Sequence, residues 1–159
     1  MPVGAQESLC QPDEGVVFSC SVSRQRLVSL CAGNQVEDPI QQLRYRFGRP
    51  GKVELEFPQA PEGSPRRFVY AHYVRARVNE TEVSFRRGEY RYTVFSHYRD
   101  EEAPEDDQPD FEQYGVRVTL PTGKQHEFIC QTQPQDQLWR LEQVVPCDPE
   151  SPLNLGECS

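Results

Sequence analysis

Six cysteines carry the most evident chemistry, because a thiol can bind a metal, attack a substrate or form a disulfide. No two of them have the CxxC spacing that zinc sites and thiol redox enzymes use. An even number of dispersed cysteines in a chain with 14 prolines and 10 glycines indicates disulfides, and therefore an oxidising compartment. The six are Cys10, Cys20, Cys31, Cys130, Cys147 and Cys158.

Sequence proximity predicts the disulfides Cys20–Cys31 and Cys147–Cys158, which leaves Cys10 for Cys130. Other pairings stay open, because six cysteines can be joined in many ways. The alternative is that the cysteines are small buried apolar residues of a cytosolic protein. The first residues lack the basic and apolar segments of a signal peptide, so in an exported protein that peptide would have been removed and Met1 would be an introduced start.

Hydrolytic and metal chemistry have little support in the sequence. A nucleophilic hydrolase needs an activated Ser or Cys beside a His, yet no GxSxG motif is present and disulfide-bonded cysteines cannot attack. The chain has three His and no HExxH motif. Hairpin turns predicted at residues 79–80 and 87–88 would also place His72 and His97 near opposite ends of a sheet, roughly 20 Å apart. We therefore expect that the protein is not an enzyme and that it has no catalytic residue, no metal site and no cofactor.

The net charge of −8 comes from one acidic segment, because eight of the 25 acidic residues lie between residues 100 and 112 with no Lys or Arg among them. Overall acidity argues against nucleic-acid binding. Pro104 and Pro109 interrupt the segment and it has no Gly, which argues against a calcium loop. We expect this segment to be a mobile, solvated loop. The alternative is that its carboxylates attract a cationic protein. The candidate partner-binding acids are Asp100, Glu101, Glu102, Glu105, Asp106, Asp107 and Asp110.

Arginine and tyrosine side chains form a second candidate binding surface. They cluster on the outward faces of a predicted three-stranded meander, and interleaved Arg and Tyr are typical of protein interfaces. The alternative is that cross-strand partners such as Glu82 and Glu89 neutralise them. The cluster comprises Arg67, Tyr73, Arg75, Arg77, Arg86, Arg87 and Arg91, of which Tyr73, Arg75 and Arg77 are the preferred candidates.

The stretch QLRYRFGRPGKVELEF at residues 42–57 is the strongest structural signal, because apolar and charged residues alternate on both sides of a Pro-Gly turn. We predict a hairpin that pairs Phe47 with Val53 and Arg46 with Glu54 around a three-residue loop with a bulge, Arg49 to Gly51. One face would be apolar and the other ion-paired.

Similar alternation elsewhere predicts about eight to nine strands in an all-β antiparallel meander that closes into a barrel or sandwich with a filled interior. The meander would turn at residues 79–80 and 87–88. We divide the chain into an N-terminal arm (1–14), the β-barrel or sandwich domain (15–131) and a C-terminal helix with a disulfide-tied tail (132–159). The helix would begin at Asp136 and end before Pro146. No apolar run is long enough to span a bilayer.

The chain resembles a family of small, secreted bacterial proteins of unassigned function. The shared pattern is a Cys strand, a returning Cys strand, the hairpin just described, an aromatic strand and a late Cys strand after a Gly-Lys turn. Here these elements carry Cys20, Cys31, Tyr45 to Gly51, Tyr92 to Phe95, and Gly123-Lys124 before Cys130. The resemblance covers residues 16–131 and implies a secreted or periplasmic bacterial protein, without implying an activity.

In size and strand number the chain is also similar to the periplasmic C-type lysozyme inhibitors, although their Ser-Gly-x-x-Tyr and Tyr-x-x-x-Thr-Lys-Gly motifs are absent. We therefore expect a non-enzymatic exported protein that recognises a partner, with a cationic envelope or secreted protein as the candidate, in an inhibitor-like way. A small-ligand-binding barrel and a structural envelope component are the alternatives. A pocket above about 300 Å³ would favour the ligand-binding alternative.

Overall fold

The computed structural model describes residues 8–34, 38–60, 62–100, 111–154 and 158. These ranges contain ten β-strands, four 3-10 turns and no α-helix. The strands are β1 (Gly15–Val22), β2 (Arg26–Ala32), β3 (Leu43–Arg49), β4 (Lys52–Phe57), β5 (Val69–Arg75), β6 (Val78–Arg87), β7 (Tyr90–Arg99), β8 (Phe111–Thr119), β9 (Gln125–Ile129) and β10 (Gln135–Asp136).

The strands form two five-stranded antiparallel sheets. Sheet 1 has the order β10-β1-β2-β3-β4, and sheet 2 has the order β5-β6-β7-β8-β9. The prediction of an all-β antiparallel fold is confirmed, and of the two architectures considered the sheets form a sandwich. The closed barrel is wrong for the described strands. β4 and β5 are edge strands of different sheets, and the connection between them contains Pro58 and Pro65, which cannot donate to a strand ladder.

The core lies between the two sheets and is rich in aromatic rings. Phe57 of sheet 1 stacks on Phe85 of sheet 2 with ring centroids 4.2 Å apart. Phe85 in turn stacks on Tyr92 at 4.9 Å, with the planes only 4° apart. Tyr45 packs against Phe85 at 5.0 Å, and Phe68 meets it edge to face. These rings form a continuous aromatic column from one sheet into the other.

The central hairpin forms as β3 and β4, but its predicted register and loop are wrong. Phe47 pairs with Leu55 and Arg46 pairs with Glu56, while a bulge shifts the register before Gly48. Gly48 has φ +149°, and a side chain there would lie 2.6 Å from backbone atoms of β4. The strands therefore approach each other so closely at the bulge that only glycine fits.

The first turn of the meander was predicted three residues too late. β5 ends at Arg75 and β6 starts at Val78, with Arg77 in the left-handed region at φ 67°. This register pairs Tyr70 with Val83, and both side chains are buried in the core. Burial of this apolar pair offsets the cost of a positive φ at a non-glycine residue.

The change of register also overturns the predicted 20 Å separation of His72 and His97. His72 pairs with Thr81, whose other partner is Ser96, the neighbour of His97. The two imidazoles therefore project from adjacent rows but on opposite faces of sheet 2. His72 Nε2 lies 2.8 Å from Asn79 Oδ1.

All six cysteines form disulfides, as predicted, but only the Cys147–Cys158 pair was predicted correctly. The others are Cys10–Cys31 and Cys20–Cys130. Cys20 pairs with Val28 on the core face of sheet 1, whereas Cys31 pairs with Arg44 on the outer face. Because the two thiols point to opposite sides of the sheet, closeness in sequence could not bring them together.

Residues 8–14 of the N-terminal arm lie against the outer face of sheet 1, where the Cys10–Cys31 disulfide holds them. The Leu9 amide donates to Ser29 Oγ at 3.0 Å, and the Leu9 carbonyl accepts from Arg46 Nη1 at 3.2 Å. The hairpin face that was predicted to be ion-paired and solvent-exposed is therefore partly buried under the arm.

The C-terminal helix is absent from the described residues, which show only the 3-10 turns Leu138–Leu141 and Pro152–Asn154 in this region. Asp136 belongs to β10, where it pairs with Phe18, and its carboxylate accepts from the Leu138 amide at 3.1 Å. A single 3-10 turn with Gln137 at its N-cap follows, and it buries Leu138 and Leu141.

The tail protects the open edge of sheet 2. The backbone of Cys147 forms an isolated parallel β-bridge with Tyr70 of β5. Asn154 Oδ1 accepts from the His72 amide at 3.1 Å, and Asn154 Nδ2 donates to the Tyr70 carbonyl at 3.2 Å. The edge groups of β5 are thus bonded within the chain. No helix in the described ranges has the length and apolar character needed to cross a membrane.

Candidate functional site

A cleft of about 460 Å³ opens at one end of the sandwich, between the β3–β4 hairpin and the β7–β9 end of sheet 2. We call it the aromatic cleft. Its volume is above the value of about 300 Å³ at which small-molecule sites begin. Its lining consists of Arg26, Tyr45, Phe47, Glu54, Leu55, Arg87, Tyr90, Tyr92, Val118, Leu120, His126 and Phe128.

The aromatic column of the core reaches this cleft. Tyr92 is the last ring of the Phe57–Phe85–Tyr92 stack and also lines the cleft. Tyr45 lies beside it, with its ring centroid 6.0 Å from that of Tyr92. Burial, and secondarily the neighbouring Tyr92, raises the pKa of Tyr45 well above its ordinary value. The column therefore presents a neutral, rigid aromatic surface to the cleft.

Arg26 is the main polar group of the aromatic cleft. Its guanidinium carbon lies 5.1 Å from the centre of the Phe47 ring and 5.2 Å from that of Phe128, so two cation–π contacts hold it. Arg26 Nε is buried without a hydrogen-bond partner. Its nearest anionic neighbour among the described residues is Glu54, whose Oε1 lies 3.8 Å from Nη1.

The bulge in β4 explains why Glu54 joins this site. Val53 pairs with Gly48 and Leu55 pairs with Phe47, which leaves Glu54 as the extra residue. In regular alternation Glu54 would project to the face opposite Leu55, but a bulge re-aims the side chain of the additional residue. Glu54 consequently lines the same cleft as Leu55.

The rim of the cleft is exposed and carries an excess of positive charge. Arg87, Tyr90 and His126 are all exposed, and they line the cleft together with Arg26 and Glu54. Two arginines therefore face one carboxylate. Such a lining disfavours a cationic guest and suits a guest that is flat, mostly apolar and negatively charged.

The preferred Arg and Tyr candidates lie at the other end of sheet 2. Tyr73 pairs with Glu80 and Arg75 pairs with Val78, while Arg77 occupies the exposed turn that follows β5. The Asp100 amide donates to the Arg77 carbonyl at 2.8 Å. The structure therefore brings Tyr73, Arg75, Arg77 and Asp100 together at the end where the chain leaves β7.

The remaining acidic candidates are outside the described residues. These are Glu101, Glu102, Glu105, Asp106, Asp107 and Asp110. Because Arg99 pairs with Phe111, the connection that carries these acids leaves and re-enters sheet 2 beside the Arg77 turn.

The rest of the predicted arginine cluster is divided between different places. Arg87 lines the aromatic cleft. Arg67 lies over the Phe57 ring at 5.3 Å, and Arg91 forms an ion pair with Asp148 at 2.5 Å. Since β6 runs ten residues from Val78 to Arg87, roughly 30 Å of strand separates the Arg77 end from the Arg87 end. The cluster is therefore not one continuous surface.

A hydrogen bond and two ion pairs cover part of the outer face of sheet 2 between these ends. His97 Nε2 lies 2.9 Å from Glu82 Oε2, and Arg117 lies 3.8 Å from Glu82 and 3.3 Å from Glu127. Beneath them the Phe95 ring is fully buried under the Arg117 guanidinium. Glu82 is the centre of these contacts, and its partners His97 and Arg117 do not belong to the arginine cluster defined from the sequence.

One possible metal-ligand group occurs in the described ranges. Cys10, Glu14 and Cys31 have ligand atoms within 4.8 Å of one another. Cys10 and Cys31 are bonded to each other, so neither offers the thiolate that binds a metal.

The residues of the aromatic cleft were missed as a site in the sequence. Nothing in the sequence marks Arg26, Tyr45 and Phe47 as members of one site, although all three line the cleft. The cleft draws on β2, β3, β4, β6, β7, β8 and β9, so its members share no spacing or motif. The only signal in the local sequence is that large aromatic residues lie near arginines at the ends of several strands.

No protein-family model, curated protein or solved structure matches this chain.

Proposed function

We propose that this chain is a non-enzymatic, exported binding protein that takes a small, largely apolar ligand in the aromatic cleft. The observation that supports this role is the open cleft of about 460 Å³ with five aromatic rings in its lining. Three disulfides are compatible with an oxidising compartment.

The disulfide framework also supports a binding role, because a site binds better when its walls are held in place before the ligand arrives. Cys20–Cys130 joins β1 to the residue that follows β9, so it ties the two sheets together. The Gln131 amide adds a hydrogen bond to the Ser21 carbonyl at 2.8 Å. The two walls of the cleft belong to these two sheets.

Titration of the full chain with 2-naphthylmethanol, a neutral aromatic probe, tests this role. Backbone amide resonances of Leu55, Val118 and Leu120 are expected to shift saturably. Val118→Trp fills the cleft and should abolish the shifts, whereas Ile129→Trp, on the outer face of sheet 2, should preserve them. Shifts that are scattered over the surface, or that survive Val118→Trp, would count against a binding role for the cleft.

Protein recognition of the inhibitor-like kind is the second candidate. Its support is the gathering of Tyr73, Arg75, Arg77 and Asp100 at one end of sheet 2. A pull-down from bacterial envelope extract, with the intact chain and a chain whose residues 100–110 are replaced by Gly/Ser, tests it at low and physiological salt. A cationic protein retained only by the intact chain is the expected result, since clustered acids speed association with cations. Equal capture by both chains would contradict it.

A further inference from the structure

We infer that the ligand of the aromatic cleft is a flat aromatic carboxylate, whose carboxylate binds Arg26 while its ring packs on Tyr92 and Tyr45. This inference rests on the proposed binding function and specifies its ligand class. Each part of the ligand corresponds to a separate feature of the cleft.

The guanidinium of Arg26 is held in place but poorly satisfied. Its carbon lies 5.1 Å from the Phe47 ring and 5.2 Å from the Phe128 ring, and these two adjacent rings have centroids 5.0 Å apart. Both rings therefore contact the guanidinium from one side, which limits the conformational freedom that can be lost on binding. None of its nitrogens donates to an oxygen of the described residues within hydrogen-bond distance, and Nε is buried without a partner. A planar group with up to five donors matches the geometry of a carboxylate.

Glu54 does not meet this need. Its oxygen lies 3.8 Å from Arg26 Nη1, which is too far for a hydrogen bond, and its side chain is 46% exposed. An exposed ion pair of this kind contributes little. A ligand carboxylate can therefore compete with Glu54 for Arg26, and Arg87 on the rim adds a second positive charge.

The other residues that line the aromatic cleft favour an aromatic ring in the ligand. The stack that ends at Tyr92 has nearly parallel planes, 4° apart between Phe85 and Tyr92, so its last face is flat. Tyr45, Phe47, Tyr90 and Phe128 line the cleft together with Tyr92. Aromatic guests gain from offset or edge contacts with such rings in addition to burial of apolar area.

Isothermal titration of the full chain with 2-naphthoate and with 2-naphthylmethanol tests the inference, because the two probes share the ring and differ in charge. We expect the carboxylate to bind about tenfold or more tightly, as for a hydrogen bond to a charged group. Arg26→Gln should remove this preference and change the affinity for the alcohol less than about threefold. Arg86→Gln, at an exposed arginine outside the cleft lining, should leave both affinities unchanged.

Glu54→Gln supplies a second test that does not depend on the packing of Arg26. Removal of the competing carboxylate should tighten 2-naphthoate binding about two- to fivefold and leave the alcohol unchanged. Equal binding of the two probes by the native chain, or insensitivity of 2-naphthoate to both variants, would overturn the inference while leaving the binding role intact. Failure of both probes to bind would overturn the inference and the binding role together.

Discussion

Arg46 Nη1 lies 2.6 Å from Glu14 Oε1, although the two residues are 32 positions apart and Arg46 is only 2% exposed. Arg46 Nε makes a second ion pair, with Glu56 at 2.6 Å. Burial by itself lowers the pKa of the Arg46 guanidinium, but hydrogen bonds to Glu14 and Glu56 outweigh it and raise the pKa. The contact fastens the N-terminal arm onto the outer face of sheet 1.

Glu14→Gln should lower the free energy of unfolding by roughly 1–3 kcal/mol, because a buried guanidinium loses a charged acceptor. Urea unfolding followed by circular dichroism measures the loss. Glu62→Gln makes the same chemical change at an exposed carboxylate and should shift the free energy by less than about 0.5 kcal/mol. Equal effects of the two variants would mean that the Arg46 pair adds nothing to stability.

The disulfides should differ in their contribution to the free energy of unfolding, according to the length of the loop that each one closes. Cys20–Cys130 spans 110 residues and Cys147–Cys158 spans 11. Loop-closure entropy therefore predicts that replacing the first pair by alanines costs about 2 kcal/mol more than replacing the second. Urea unfolding of the two double-alanine variants measures the difference, and a larger loss from the Cys147–Cys158 variant would contradict the prediction.

Gly48→Ala should open the β3–β4 bulge, because the new methyl group would lie 2.6 Å from backbone atoms of Lys52 and Glu54. We expect a loss of roughly 2–4 kcal/mol in unfolding free energy, together with loss of 2-naphthoate binding. Gly63→Ala is the matched control, since Gly63 also has a positive φ (68°) but no atom near the added methyl group. It should cost only about 1 kcal/mol, and binding should persist.

The free energy of unfolding should decrease in alkaline solution, because the buried phenols of Tyr45 and Tyr70 must stay protonated in the folded protein. Burial raises the pKa of Tyr70 to about 12 and raises that of Tyr45 even further. The unfolded chain releases these protons near pH 10, so the contribution is complete below about pH 10 and is lost progressively above it. Urea unfolding between pH 9 and pH 11 should show this decrease, and Tyr45→Phe should make it shallower. A pH dependence that is unchanged in Tyr45→Phe would refute the assignment to Tyr45.

Asn154→Ala should expose the edge of β5, because Asn154 bonds both the His72 amide and the Tyr70 carbonyl. Hydrogen exchange of the His72 amide is expected to accelerate about tenfold or more, which corresponds to the loss of one hydrogen bond. The Val94 amide, in the central strand β7, serves as an internal control and should keep its rate. Uniform acceleration of both amides would indicate global destabilisation instead of a local opening.

The all-β class, the antiparallel strands and the involvement of every cysteine in a disulfide could be predicted from the amino-acid sequence alone. These properties follow from local alternation and composition, which act over a few residues. The β3–β4 hairpin could be located for the same reason, because Leu43, Tyr45 and Phe47 alternate with charged residues beside a Pro-Gly turn.

The strand register, the partners in two of the three disulfides and the aromatic cleft became visible only in the three-dimensional structure. The bulge at Gly48 and the turn at Arg77 depend on which apolar side chains meet across the sandwich, as Tyr70 meets Val83. Cys20 finds Cys130 because two distant strands bury their inner faces against each other. Arg26 lies beside Phe128 for the same reason, since contacts between sheets depend on long-range packing that local sequence patterns do not encode.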